Sequence, residues 1–164
     1  QYVSNTLDQG IFYKKNVAIQ FEGYTNADCA GNTMDRISTS AFVFSLGSRA
    51  ISWGSKKQLI LAQSSMETKY RSETIAGCEA IWLKRLLKVL KESVDKPIPI
   101  YCENLDTIQL TRSPLFHAWT KHIGVHYHYI GGWIVEGDID LRHLNTDVQT
   151  VDIFTEALGV DKLR

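Results

Sequence analysis

Four acidic residues stand where elements of this chain should begin or end: Asp28 after an apolar run, Glu67 at the start of a long amphipathic stretch, Glu103 after "IPIYC", and Asp152 near the C-terminus. Carboxylates brought together from two strand ends and two helices are the donor set of a two-Mg²⁺ phosphodiester centre. In such a centre, ions about 3.5 to 4 Å apart clamp the attacking and leaving oxygens. The same residues are also accounted for as solvated surface acids, with Glu67 favouring a helix N-terminus. On spacing alone the second account is the simpler. Asn26 sharpens the question, because in "EGYTNADCAG" it closes a strand-like run, and the carboxyl end of a central strand is where α/β sheets hold ligands. A neutral amide does not supply the charge of a carboxylate.

The elements that would position these residues can be read from periodicity. "IFYKK" and "VAIQFEGY" read as short strands, and "TSAFVFSLG" and "RAISWGSKK" alternate as two more, joined at Gly47 and Ser48. The spacing predicts an antiparallel meander over residues 18–26, 39–47 and 49–55. From Ser64 the period becomes helical, with Ile75, Ile81, Trp82, Leu86 and Leu90 in near-helical register and Ser64 or Ser65 as the cap. Pro97 and Pro99 close that region, after which "IPIYCEN" is a buried strand, predicted parallel to the first, and "NLDTIQLTRS" a small helix. "AWTKHIGVHYHYIGGWIVEG" is helical in its first part but meets Gly131 and Gly132, "DIDLRHLN" alternates as a strand, and "DVQTVDIFTEAL" returns to helical spacing. The order implies a mixed sheet flanked by helices.

Length and charge narrow the function. A chain of 164 residues is about one domain. Lys plus Arg and Asp plus Glu both number 18, so long-range attraction to a polyanion must come from a local patch. Lys56, Lys57 and Lys121, with Trp53, Trp119 and Tyr127, are the candidates for meeting a nucleic-acid backbone or stacking on bases, and an ordinary solvated loop with core aromatics explains them equally well. Cys29, Cys78 and Cys102 are odd in number and lack Cys-x-x-Cys spacing, which points to a reducing intracellular compartment. No run approaches the roughly 20 apolar residues of a membrane span. His122 and His126 have a spacing that could share a zinc ion, with His117 and His128 nearby, but no His-Glu-x-x-His arrangement accompanies them. His143 is expected on an exposed strand, in preference to a proton-shuttling role.

Local wording adds a more specific signal. "GYTNADCAGNTMDRISTSAFVFSLGSRAISWGSKKQ", "LAQSSMETKY", "IPIYCENLDTIQL", "FHAWTKHIGVHYHYI" and "TDVQTVDIFTEAL" resemble, in order and spacing, the ribonuclease H domain of copia-type retrotransposon polyproteins. Residues 1–16 look like the short connection that follows a reverse transcriptase in such polyproteins, and residues 17–164 like the domain itself. The resemblance implies a ribonuclease H-like α/β fold: a central mixed five-stranded sheet, antiparallel meander plus parallel strands, flanked by helices. It also implies two Mg²⁺ ions and cleavage of the RNA strand of an RNA–DNA hybrid.

Carried over motif by motif, the family's acids fall on Asn26, Glu67, Glu103 and Asp152, where its pattern has Asp, Glu, Asp and Asp. Two of the four depart. Glu156 stands where a lysine is usual, and "YIGGWI" lacks an arginine. Asp28 lies roughly 6.6 Å along the strand from Asn26, too far to substitute for it unless the strand bends. The expectation is a vestigial centre in which Glu67, Glu103 and Asp152 hold metal weakly, with Mg²⁺ or Mn²⁺ needed only for residual activity. The chain would then serve as a protein-interaction module; the alternatives are a hybrid-binding module or a weak ribonuclease H.

Overall fold

The computed structural model of the chain describes residues 10–15, 18–29, 36–92, 94–112 and 124–155, with the backbone alone for 112 and 124–128. Strand β1 (Phe21–Asp28) buries every second residue: Phe21, Gly23, Thr25 and Ala27. That is the period of a strand with one covered face. It pairs antiparallel with β2 (Thr39–Leu46), which pairs antiparallel with β3 (Arg49–Lys57) through the two-residue turn at Gly47 and Ser48. Gly47 has φ 65°, as the hairpin turn demands. The meander expected from alternation is therefore present, displaced by up to three residues at its ends.

Helix α1 (Ser65–Val89) starts at Ser64, whose hydroxyl accepts the Glu67 amide at 3.1 Å. It ends with the Lys91 amide donating to the Lys88 carbonyl and the Glu92 amide to that of Leu87. This double closure puts Lys91 at φ 65°, where glycine is the usual occupant. The chain then returns as β4 (Ile98–Cys102), parallel to β1, followed by α2 (Leu105–Arg112), α3 (Gly124–Val135) and β5 (Ile139–His143), parallel to β4. The sheet order is β3-β2-β1-β4-β5. Its core joins Phe21, Phe44, Ile98, Ile100, Ile139 and Leu141 to Tyr70, Ala76, Ala80 and Leu87 of α1.

Two glycines are explained by packing. A Cβ on Gly23 would lie 2.2 Å from Cε1 of the fully buried Phe44, its register partner, and one on Gly77 would meet Trp133 at 2.8 Å and Ile130 at 2.9 Å. The first lets a ring lie over the strand; the second lets α3 approach α1.

Three local expectations are corrected. Residues 11–15 form no strand, and Tyr13 instead ties this segment to the hairpin by donating to the Ala50 carbonyl at 2.8 Å. Helix α3 runs straight through Gly131 and Gly132, because Ile130, Trp133 and Ile134 anchor it to the core and override two poor helix formers. Near the C-terminus, the described residues form two short 3-10 turns, Thr146–Val148 and Asp152–Phe154, in place of a continuous helix. Among the described residues no helix is long and apolar enough to cross a membrane.

Candidate active site

The carboxyl ends of β1 and β4 lie side by side, and α1 passes beside them. Thr25 donates to the Ala41 carbonyl at 3.0 Å, and Ser72 of α1 donates to the Asn26 carbonyl at 2.6 Å, which fixes the end of β1 against the helix. The C-terminal turns are pinned to the same sheet by Gln149, which donates to the Thr25 carbonyl at 3.3 Å, and by Ser55, which donates to the Phe154 carbonyl at 2.6 Å. These contacts place Asp152, only 2% exposed, beside Asn26.

Both ends of the Asn26 amide are in use. Its nitrogen donates to Asp152 Oδ1 at 2.8 Å and its oxygen accepts the Ala27 amide at 2.8 Å. Glu103, just past β4, meets the Lys69 ammonium at 3.5 Å, with the carboxylate side chain 12% exposed. Asn26, Lys69, Ser72, Glu73, Cys102 and Glu103 are among the residues lining one cavity of about 10 Å³, room for a single water.

Of the four positions carried over from the resemblance, Asn26 and Asp152 are thus bonded to each other, and Asn26 and Glu103 share a cavity. Glu67 does not line it. That carboxylate is 2% exposed and held locally, by Arg71 at 2.6 Å and by the Gln63 amide at 2.8 Å. Two residues along a helix is a rotation of roughly 200°, so it is Lys69 that reaches the cavity. Asp28 does not line the cavity either.

Glu73 was not singled out from the sequence, yet it is 1% exposed and in contact with the Thr107 hydroxyl. Burial pushes its carboxyl up to about 7, against the opposing pull of Thr107, Cys102 and the Lys69 charge. A neutral Glu73 also resolves a count of protons. The Thr107 hydroxyl faces both Glu73 and the Asn104 carbonyl at 2.9 Å, and its one proton satisfies both only if Glu73 supplies the other. Burial, and then the neighbouring Glu73 carboxyl, push the Cys102 thiol far above its ordinary range. Helical phase carried the missing signal: Lys69, Ser72, Glu73 and Ala76 share one face of α1, and a carboxyl on a face that turns apolar at Ala76 and Ala80 is a buried one.

The donor set does not fit a pair of divalent ions. Among the described residues, no three His, Cys, Asp or Glu side chains come together as metal ligands. The polar contacts give the reason: an amide N–H points at Asp152 where a bridging carboxylate would be required, and an ammonium lies against Glu103.

Of the basic candidates, Lys56 and Lys57 end β3 and are exposed; Lys57 stands in register with Thr39, which pairs with Asp28. They therefore flank the same end of the sheet as Asn26, roughly 10 Å away across two strand spacings. Trp53 is 53% exposed on β3. His143 closes β5 and is exposed. Lys121, Trp119, His117, His122 and Glu156 lie outside the described residues, as do the side chains of His126, Tyr127 and His128.

Comparison with known proteins places this geometry. No protein-family model matches the chain. The retrovirus-related Pol polyprotein from transposon RE2 of Arabidopsis thaliana is 37% identical over 159 residues, covering 97% of the chain and 11% of the polyprotein. The corresponding polyprotein from transposon TNT 1-94 of Nicotiana tabacum is 36% identical over 141 residues, 86% of the chain and 10% of the polyprotein. The chain spans about a tenth of the length of these relatives. Among solved structures, LC11-RNase H1 in complex with an RNA/DNA hybrid matches with a TM-score of 0.61 at 11% identity, over 83% of this chain and 94% of that one. RNase H1 from Halobacterium salinarum NRC-1 matches at 0.52 and 14%, over 83% and 94% of the two chains. Identities this low speak for the fold, and the polyprotein matches speak for descent: the chain belongs with the Pol polyproteins of copia-type retrotransposons, as a segment folded like a ribonuclease H domain.

Proposed function

We propose that this is a catalytically impaired ribonuclease H-like domain that acts through binding to other proteins. One observation carries the reading: the carboxylates at the site are met by donors from the chain itself, Asp152 by the Asn26 amide and Glu103 by the Lys69 ammonium. Hydrolysis of a phosphodiester by two ions depends on fixed negative charge that holds them. An internal ammonium supplies positive charge at one carboxylate, but it neither activates water as a metal does nor bridges to a phosphate in octahedral geometry. At the other carboxylate, Asp152, the Asn26 amide occupies an oxygen and brings no negative charge of its own.

The test is an assay of RNA–DNA hybrid cleavage in Mg²⁺ and in Mn²⁺, with Asp152→Asn as the control. No turnover above that control is expected. Robust cleavage that is lost in Asp152→Asn would defeat the reading and establish a nuclease.

A second reading, a hybrid-binding module without cleavage, is favoured by the position of Lys56 and Lys57 at the site's end of the sheet and by the hybrid bound in the LC11-RNase H1 complex. It requires binding that weakens steeply with salt and that Lys56→Ala with Lys57→Ala reduces.

A further inference from the structure

We infer that the C-terminal half of α1 is a docking surface for an acidic amphipathic segment of a partner protein. The inward side of this helix is already filled, since Ile81, Leu83 and Leu87 are buried in the core. Its outward side carries Trp82, Leu86, Val89 and Leu90, which are 56%, 39%, 77% and 63% exposed. The spacing i, i+4, i+7, i+8 draws them into one stripe along more than two turns. Such a stripe matches the anchors by which one amphipathic helix is read by another.

The charge around the stripe selects the partner. Arg85 and Lys88 stand exposed beside it, Lys91 follows at its end, and Glu92 is the acid adjoining them. Neither Arg85 nor Lys88 has an ion-pair partner among the described residues, whereas Lys84, on the inner flank, is paired with Asp138 at 2.9 Å. In a chain with no net charge, this is a local cationic flank along one side of an apolar stripe. A second copy meeting the stripe face to face would oppose these cations to each other. A nucleic-acid backbone would satisfy the cations and leave Trp82, Leu86 and Val89 uncovered. A segment with apolar anchors and flanking Asp or Glu satisfies both.

Trp82 is 13 residues beyond Lys69, roughly 20 Å along the helix axis, so docking here does not touch the candidate active site. The inference names a partner class for the interaction reading above, and it is measured separately. A protein that cleaves hybrid yet binds the peptide below would remove the claim of impaired catalysis and leave the docking surface standing.

The probe is a labelled 18-residue helical peptide with leucines on one face and glutamates elsewhere, alongside a twin in which lysines replace the glutamates. Fluorescence anisotropy with the whole chain should show the acidic peptide binding at least about tenfold more tightly than its twin, with affinity falling as salt is raised. Trp82→Ala should weaken binding by roughly tenfold or more, and Arg85→Glu with Lys88→Glu should invert the preference between the peptides. All three changes are on the surface, and unchanged thermal unfolding would confirm that the fold is retained. Equal binding of the two peptides would overturn the inference, as would absence of binding. So would a concentration-dependent dimer that Trp82→Ala abolishes, or binding to phosphatidylserine vesicles that competes with the peptide.

Discussion

Asn26 sets a neutral amide against Asp152, Lys69 sets an ammonium against Glu103, and Glu73 is a buried carboxyl pushed up to about 7. An aspartate at 26 would face Asp152 across the 2.8 Å now spanned by a hydrogen bond, and two carboxylates that close do not both ionise without a cation. The double variant Asn26→Asp with Lys69→Glu should therefore bind divalent ions more tightly than the parent. In calorimetry, Mg²⁺ should saturate the variant at lower concentration than the parent, and EDTA should lower the unfolding temperature of the variant more. Equal effects on both proteins would contradict this.

Glu73 gives a pH dependence. Its carboxyl lies at about 7 against an ordinary 4.5, so the folded state keeps a proton that the unfolded chain has released. The stability associated with the neutral form is complete below about 4.5 and is lost as pH rises through about 7. At about 1.4 kcal/mol per pH unit, the loss is on the order of 3 kcal/mol. Glu73→Gln keeps a group that can donate to Thr107 and cannot ionise. Denaturant titrations should find it close to the parent at pH 5 and more stable than the parent at pH 8.

The residue types at the site are legible in the sequence, whereas the phase that orients them on α1 is less so. Glu67, Glu103 and Asp152 stand out in the sequence as acids near the ends of elements, and Asn26 as the residue standing where the resembling motif has an aspartate. Glu67 is legible as the acid of the first turn of α1 and as a position of the resembling motif, and in the structure its carboxylate meets Arg71 while Lys69, two residues on, lines the cavity.

At the scale of elements, the strands were the clearest signal, because alternation over β1 to β3 states both the conformation and the buried face. The ends of helices were less clear. Nothing in "KVLKES" signals a left-handed residue, since Lys91 adopts a conformation for which α3 uses Gly137 at φ 75°. Lys91→Gly should accordingly stabilise the protein by roughly 0.5 to 1 kcal/mol, measurable as a shift in the denaturation midpoint. Glycines inside helices divide into two kinds that the sequence does not distinguish. At Gly77 a methyl group would collide with Trp133 and Ile130, while at Gly131 it would meet nothing within 4 Å. Gly77→Ala should cost roughly 1 to 3 kcal/mol through overpacking, and Gly131→Ala should stabilise by up to about 1 kcal/mol. The same sign for both would refute the packing account.

Across the whole molecule, the order of the elements carried the fold: three strands in a meander, a long helix, then strands returning in parallel, a sequence of elements that few topologies accommodate. The C-terminal turns were the least legible part at this scale, because what shapes them is the sheet they lie on. Gln149, Asp152 and Phe154 bond to residues roughly a hundred or more positions earlier in the chain. No local period records such a constraint.

The contact between Gly23 and Phe44 also bears on how the chain finds its fold. Gly23 is the one glycine in β1, and its register partner Phe44 lays its ring where any side chain would stand. A slip of one residue would bring Glu22 or Tyr24 under that ring and turn the buried side of the strand outward. The pair therefore works as an index mark. Alignment of β1 with β2 can be selected while the meander is still a local structure, before α1 carries β4 to the far edge of β1.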